Sequence, residues 1–198
     1  MARVSFIAGA AFLVLLAVLH VLRPDLDPSW HFVSEYEVGA FGWMMRLAFV
    51  SLAVSCASLA LAVLPEVRRI AGYVGVGMLA VSSIGMTMAA VFAPEPGSHL
   101  HDIGAMLDLV PLAALFVGWS LWRSDRWLGA RRLLATVSWI PLLALVVFMA
   151  CMSIMLPRNG AHPGPEVLVG WPNRIMILAQ CAWLMTLAWH LQRANVSR

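Results

Sequence analysis

Six apolar runs, each near the length of a membrane span and almost free of charge, dominate this chain. About twenty apolar residues in an α-helix match the hydrocarbon thickness of a bilayer. Lipid offers no water to satisfy loose backbone groups, so such runs cross it as helices. They cover residues 4–22, 43–64, 70–93, 101–123, 132–156 and 173–192. Of 198 residues, 62% are hydrophobic and 12% charged, with a mean hydropathy of +0.85. A soluble domain carries about twice that share of charge. So much apolar surface cannot be hidden in one water-soluble core of this size. The expected fold is an all-α integral membrane protein, a single six-helix transmembrane bundle. Arg3 precedes the first run as in a signal peptide, but the run exceeds the usual apolar core of a signal and no A-x-A site follows it. The first run is therefore expected to remain as a helix.

The net charge of +3 comes from thirteen arginines and no lysine. In so apolar a chain it reads as topology, and no basic-aromatic stretch resembles a nucleic-acid module. Arg3, Arg68, Arg69, Arg123, Arg126, Arg131, Arg132, Arg193 and Arg198 fall on one side, and Arg23, Arg46, Arg158 and Arg174 on the other. The positive-inside rule makes the first side cytoplasmic, with both termini there. Trp43 and Trp171 are expected at the outer boundary, and Trp122, Trp127 and Trp189 at the inner one. Cys56, Cys151 and Cys181 lie in apolar runs without a CxxC, as packing residues do.

The acids and histidines are also asymmetric, and acids contribute little to topology. His20, His31, His99, His101 and His162 fall near the outer side, with Asp25, Asp27, Glu35, Glu37, Glu95, Asp102 and Glu166. The longer, chemically richer connections lie there too, which points to an outer polar site. The densest stretch is Glu95-Pro96-Gly97-Ser98-His99-Leu100-His101-Asp102. Its histidines and carboxylates suit zinc or a similar divalent ion, with His31 and Glu35 sharing a face at i,i+4 spacing in the first loop. The expected metal set is His101, His31, Glu35, His99 and Asp102. The plain alternative is a solvated loop that caps a helix near Asp102.

Asp108 stands about two turns inside the fourth run. A charge there costs at least about 2.5–3.5 kcal/mol on insertion scales and marks function by default. In a continuous helix it shares a face with His101. It is a candidate base, cation ligand or arginine partner; the structural alternative is a hydrogen-bonded acid between helices. No Gly or Pro interrupts a run at its middle, and Pro111 and Pro141 are the candidates for kinks.

An internal echo offers anion-binding groups. Gly42-Trp43-Met44-Met45-Arg46 opens the second run and Gly170-Trp171-Pro172-Asn173-Arg174 the sixth. Each arginine, one turn inside the boundary, can hold a phosphate or pair with a carboxylate; otherwise the pattern is an anchor plus a snorkelling cation. Arg46, Arg174, Tyr36, Trp43 and Trp171 form the expected substrate-binding set. The small pairs Ala71/Gly75 and Gly85/Ala89 are expected to let helices pack closely. His20 and His190 read as interfacial tips, the methionines as packing, and Ser34 lacks a nucleophile elbow.

His20-x-x-Arg23-Pro24-Asp25-Leu26-Asp27-Pro28, then Ser34-Glu35-Tyr36, Gly39 and Gly42-Trp43-Met44-Met45, resembles the family called domain of unknown function 998. Phe92-x-Pro94-Glu95, Leu100-His101-x-x-Gly104-Ala105 and Gly170-Trp171-x-x-Arg174 are similar to it as well. The resemblance implies a six-helix bacterial membrane protein and supplies no reaction. The His101-x-x-Gly104-Ala105 stretch is also similar to the Frag1 and DRAM group, some of whose members are linked to lipid remodelling.

The expected activity is that of a small membrane enzyme, possessing hydrolytic or acid–base chemistry and a lipid or lipid-linked substrate at the outer leaflet of the bacterial plasma membrane. Asp108, Glu35 and His101 are the expected catalytic groups, with a divalent metal such as zinc as the candidate cofactor. The alternatives are a transporter or small-molecule binder using Asp108 with Arg46 and Arg174, and an accessory subunit. The expected partner is membrane lipid, and no nucleic acid.

Overall fold

A computed structural model describes residues 1–94, 99–159 and 164–196. Among them there is helix and no strand. The α-helices are α1 (Ala2–Leu22), α2 (Gly42–Val63), α3 (Ile70–Val91), α4 (Leu100–Met106), α5 (Val110–Trp122), α6 (Arg131–Met155) and α7 (Gly170–Val196). Short 3₁₀ turns occupy Val33–Glu37, Asp125–Ala130 and Leu156–Asn159. With α4 and α5 taken as one crossing, six helical segments are long and apolar enough to span a membrane, as the apolar runs require.

Consecutive helices pack side by side, and α1 closes on α7, so the bundle is a ring. Helix α2 is the most enclosed and also touches α7 across the middle. The core between them is Phe12, Leu16, Met45, Leu59, Trp183 and Leu187 with their neighbours. Leu, Val and Ile elsewhere point outward, among them Val14, Ile84, Leu143 and Leu178. That inversion is what a lipid solvent allows.

Small residues set the closest approaches. A Cβ on Gly85 would lie 2.5 Å from the Gly104 carbonyl oxygen, and one on Gly104 would lie 3.0 Å from the Ala89 nitrogen. Helices α3 and α4 thus meet backbone to backbone, as Gly85 and Ala89 lead one to expect. Gly75 similarly faces Val117 and Phe116 of α5.

The fourth crossing differs from the uninterrupted helix expected of its sequence. It breaks at Leu107–Leu109. Ser82 Oγ of α3 accepts from Leu109 N–H at 2.8 Å, and Asp108 Oδ1 accepts from Val110 N–H at 3.3 Å. These two acceptors take over donors that an unbroken helix would satisfy internally. Pro111, in the first turn of α5, lacks a donor that would need one. Trp127 lies in the short turn between α5 and α6, with its ring buried.

The two ends of the bundle are chemically distinct. One carries the 23–41 and 156–169 connections and is called the first-loop end. The other carries Arg68, Arg69, Arg123, Arg126, Arg131 and Arg132 and is called the arginine end. There Glu66 binds Arg126 at 2.6 Å.

Candidate functional site

The first connection folds inward because its short 3₁₀ turn buries Val33, Tyr36 and Glu37 together. Two glycines let it sit down on the helix starts. A Cβ at Gly42 would fall 2.0 Å from the Glu37 carbonyl oxygen. One at Gly170 would fall 2.4 Å from the Pro28 carbonyl oxygen and 2.7 Å from Trp30 N. Gly170 N–H donates to Ser29 O at 2.9 Å. The repeated glycine of the Gly-Trp-x-x-Arg echo therefore has one cause at both places: loop backbone occupies the space of a side chain. Gly39 (φ 83°) and Phe41 (φ 66°) complete the reversal from Glu37 into α2.

The two arginines of the echo then reach adjacent loop residues. Arg46 Nε donates to Glu37 Oε1 at 3.1 Å. Arg174 Nη2 donates to the Tyr36 hydroxyl at 3.3 Å. Their surroundings differ. The Arg46 side chain is half exposed. Arg174 is buried, with Nε–H on His20 Nε2 at 2.8 Å and Nη1 on the carbonyls of His31 (2.6 Å) and Gly170 (3.2 Å). His20 accepts there through Nε2, so its Nδ1–H donates to Leu16 O at 2.7 Å. Asn173 Oδ1 accepts from Val33 N–H at 3.0 Å. Arg174, His20 and Asn173 hold α1, the loop and α7 in one assembly. The boundary tryptophans Trp43 and Trp171 are exposed beside it.

Glu35 and His31 pair with each other in the first loop, as their spacing predicts. Glu35 Oε1 also accepts from Phe32 N–H at 2.8 Å, so both its oxygens are engaged within the loop. The carboxylate that meets His101 is Glu37: its Oε2 stands 3.5 Å from His101 Nδ1. Both side chains are buried. His101 Nδ1–H donates to Phe92 O at 2.8 Å, and its ring meets Phe49 edge-on at 6.0 Å. Glu37 Oε2 makes no hydrogen bond among the described residues. Burial pushes the Glu37 carboxyl up to about 7, although Arg46 pulls the other way. A pocket of about 320 Å³ lies beside it, lined by Glu37, Val38, Gly39, Gly42, Trp43, Arg46 and Ala93, while the Glu37 side chain itself is shielded from solvent.

The five expected metal donors fall in three places: His31 with Glu35, an exposed His99 with Asp102 at 3.9 Å, and His101 apart from both, beside Glu37. A zinc site needs about four converging donors. No three His, Cys, Asp or Glu converge among the described residues. Glu95, Pro96, Gly97, Ser98 and His162 lie outside the described residues.

Asp108 takes no part in this site. The break in the fourth crossing removes the shared face with His101 and turns Asp108 toward Cys56 of α2 and Gln180 and Cys181 of α7. Gln180 is buried, and neither of its amide atoms has a well-formed hydrogen bond among the described residues. Glu37, Asn173 and Gln180 are site residues that sequence pattern alone does not single out. The tight Gly39–Gly42 turn was the signal for Glu37, because it folds that residue back onto the first turn of α2.

The family described as "Protein of unknown function (DUF998)" matches residues 6–190. The chain belongs to that family. No curated protein and no solved structure matches it.

Proposed function

We propose that this family member is a small membrane enzyme that hydrolyses a lipid or lipid-linked ester at the first-loop end, using Glu37 as its acid–base group. One observation carries the reading. A buried carboxyl, one oxygen of which makes no hydrogen bond among the described residues, lies beside an open pocket that its residue helps to line, and burial brings its ionisation to about 7. A general base works best with its pKa near the operating pH. In the proposed step, water in the pocket adds to the ester centre and gives its proton to Glu37. The leaving oxygen then takes that proton back as the bond to it breaks. His101, fixed by Phe92 O, turns its Nδ1–H side toward Glu37 and steadies the carboxylate charge. Arg46, half exposed at the pocket wall, holds an anionic headgroup by its free N–H edge. Trp43 and Trp171 seat the site at the lipid boundary, and Arg174 and Tyr36 keep the loop in place.

The proposed setting is a bacterial plasma membrane, with the arginine end and both termini cytoplasmic. Nine of the thirteen arginines fall at or beyond that end, which supports the orientation. The experiment is to reconstitute the protein in vesicles of phosphatidylglycerol with lipid-linked phosphates and follow every lipid species by mass spectrometry. Loss of one species in the wild type, absent in Glu37→Gln and His101→Ala, is expected. A species consumed equally by all three proteins would refute the assignment.

A second reading, a proton- or cation-coupled transporter, is favoured by the helix break beside Asp108 and the buried Gln180 that faces it. Interrupted membrane helices line coupling sites in many transporters. Solute-driven proton uptake into liposomes that is lost in Asp108→Asn would support it over hydrolysis.

A further inference from the structure

At the arginine end, between α5 and α6, lies a lipid-facing groove of about 620 Å³, within the range of small-molecule sites. Its floor is cut by small residues: Ala71, Gly118, Ala135 and Ser138. Its walls are Phe116, Trp119, Trp122 and Trp139. The floor is stiff, because Ser138 Oγ already accepts from Trp183 Nε1 at 3.2 Å, and a Cβ at Gly118 would fall 2.2 Å from that same oxygen.

Two guanidiniums lie against the indole walls. Arg123 sits 4.5 Å over the Trp119 ring and 5.8 Å from the Trp122 ring. Arg131 sits 6.0 Å over Trp122 and is held by its Nε–H to Trp122 O at 2.8 Å. Stacking orients a guanidinium so that its N–H edge points away from the ring. Neither arginine meets a carboxylate within 4.0 Å among the described side chains, and Glu66 is engaged with Arg126. Segments 66–69 and 123–132 together carry six arginines against two acids.

We propose that this groove binds one anionic phospholipid, an acyl chain lying along the small-residue floor and the phosphate held between Arg123 and Arg131. The charge decides among occupants. A second copy of this chain docking through the same face would bring its own arginines against these, and like charges facing each other oppose association. A zwitterionic lipid fills the groove equally well but forgoes most of the attraction to the two arginines. Basic pockets between membrane helices select anionic headgroups in this way. The site is at the opposite end of the bundle from Glu37 and does not rest on the enzymatic reading.

The test is native mass spectrometry of the full chain, delipidated and then titrated with phosphatidylglycerol or phosphatidylcholine of identical acyl chains. The wild type is expected to bind one phosphatidylglycerol about thirtyfold more tightly than phosphatidylcholine, from about 1 kcal/mol per arginine. Arg123→Gln with Arg131→Gln is expected to erase that preference, weakening phosphatidylglycerol far more than phosphatidylcholine. Ala135→Phe, which fills the groove, is expected to weaken both lipids; Ala71→Leu does the same from the α3 side if Ala135→Phe fails to fold. Equal affinity for the two lipids in the wild type, or a preference that survives the double arginine substitution, overturns the proposal.

Discussion

Glu37 turns Oε2 toward Nδ1 of His101 at 3.5 Å, while its other oxygen accepts from Arg46. The unfolded chain ionises such a carboxyl near 4.5, whereas burial in the folded protein delays ionisation to about 7. Stability from the proton on Glu37 is therefore fully present below about pH 4.5 and lost as pH rises through 7. The loss amounts to about 3 kcal/mol. Thermal unfolding in detergent is expected to show a lower midpoint at pH 8 than at pH 5. Glu37→Gln is expected to flatten that dependence, and an unchanged slope in this variant would remove Glu37 as its source.

The echo glycines are expected to be intolerant of any side chain. Gly42→Ala and Gly170→Ala each force a methyl group into loop backbone and should cost about 2–4 kcal/mol. Gly77→Ala, where a Cβ meets nothing within 4 Å, is the control. There the greater helix propensity of alanine should leave the midpoint equal or slightly higher. Similar losses at all three positions would contradict the packing described for the loop.

The two echo arginines should separate by measurement. Arg174→Lys leaves a point charge among acceptors spaced for a planar fork, and is expected to lower stability by at least about 3 kcal/mol. Arg46→Lys changes a half-exposed ion pair and should cost less than about 1 kcal/mol. The decisive observation is the ratio of the two losses in the same detergent. Equal losses would mean that Arg174 is not the clamp of the first-loop end.

Asp108→Asn keeps an oxygen for Val110 N–H and should fold with a midpoint near that of the wild type. Asp108→Leu loses the cap as well as the polar contact and should fall by about 1–2 kcal/mol. Circular dichroism melts of both variants check the order; a fall in Asp108→Asn as large as in Asp108→Leu would show that the charge, rather than the cap, holds the break.

The crossings were readable from hydropathy because lipid admits so few charges that each span stands out from its neighbours. The echo was readable as a repeated pattern, and its glycine became explicable only with the loop backbone lying on it. Glu35 and Glu37 look alike in sequence. The 3₁₀ turn directs Glu35 back to Phe32 N–H and His31 and sends Glu37 inward, a choice that local spacing does not disclose. The break at Leu107–Leu109 is equally hidden, since half its cause is the Ser82 hydroxyl on another helix.

The clamp formed by Asn173 and Arg174 has a consequence for biosynthesis. Among the described residues, Val33 N–H, the His31 carbonyl and the Tyr36 hydroxyl find hydrogen-bond partners on the last helix. A nascent chain with five crossings inserted has already made Glu37, Arg46 and His101 but still lacks these three partners of the loop. The clamp on the loop is thus completed last, and a ribosome that stalls before residue 174 leaves a membrane-embedded protein whose first-loop end lacks it.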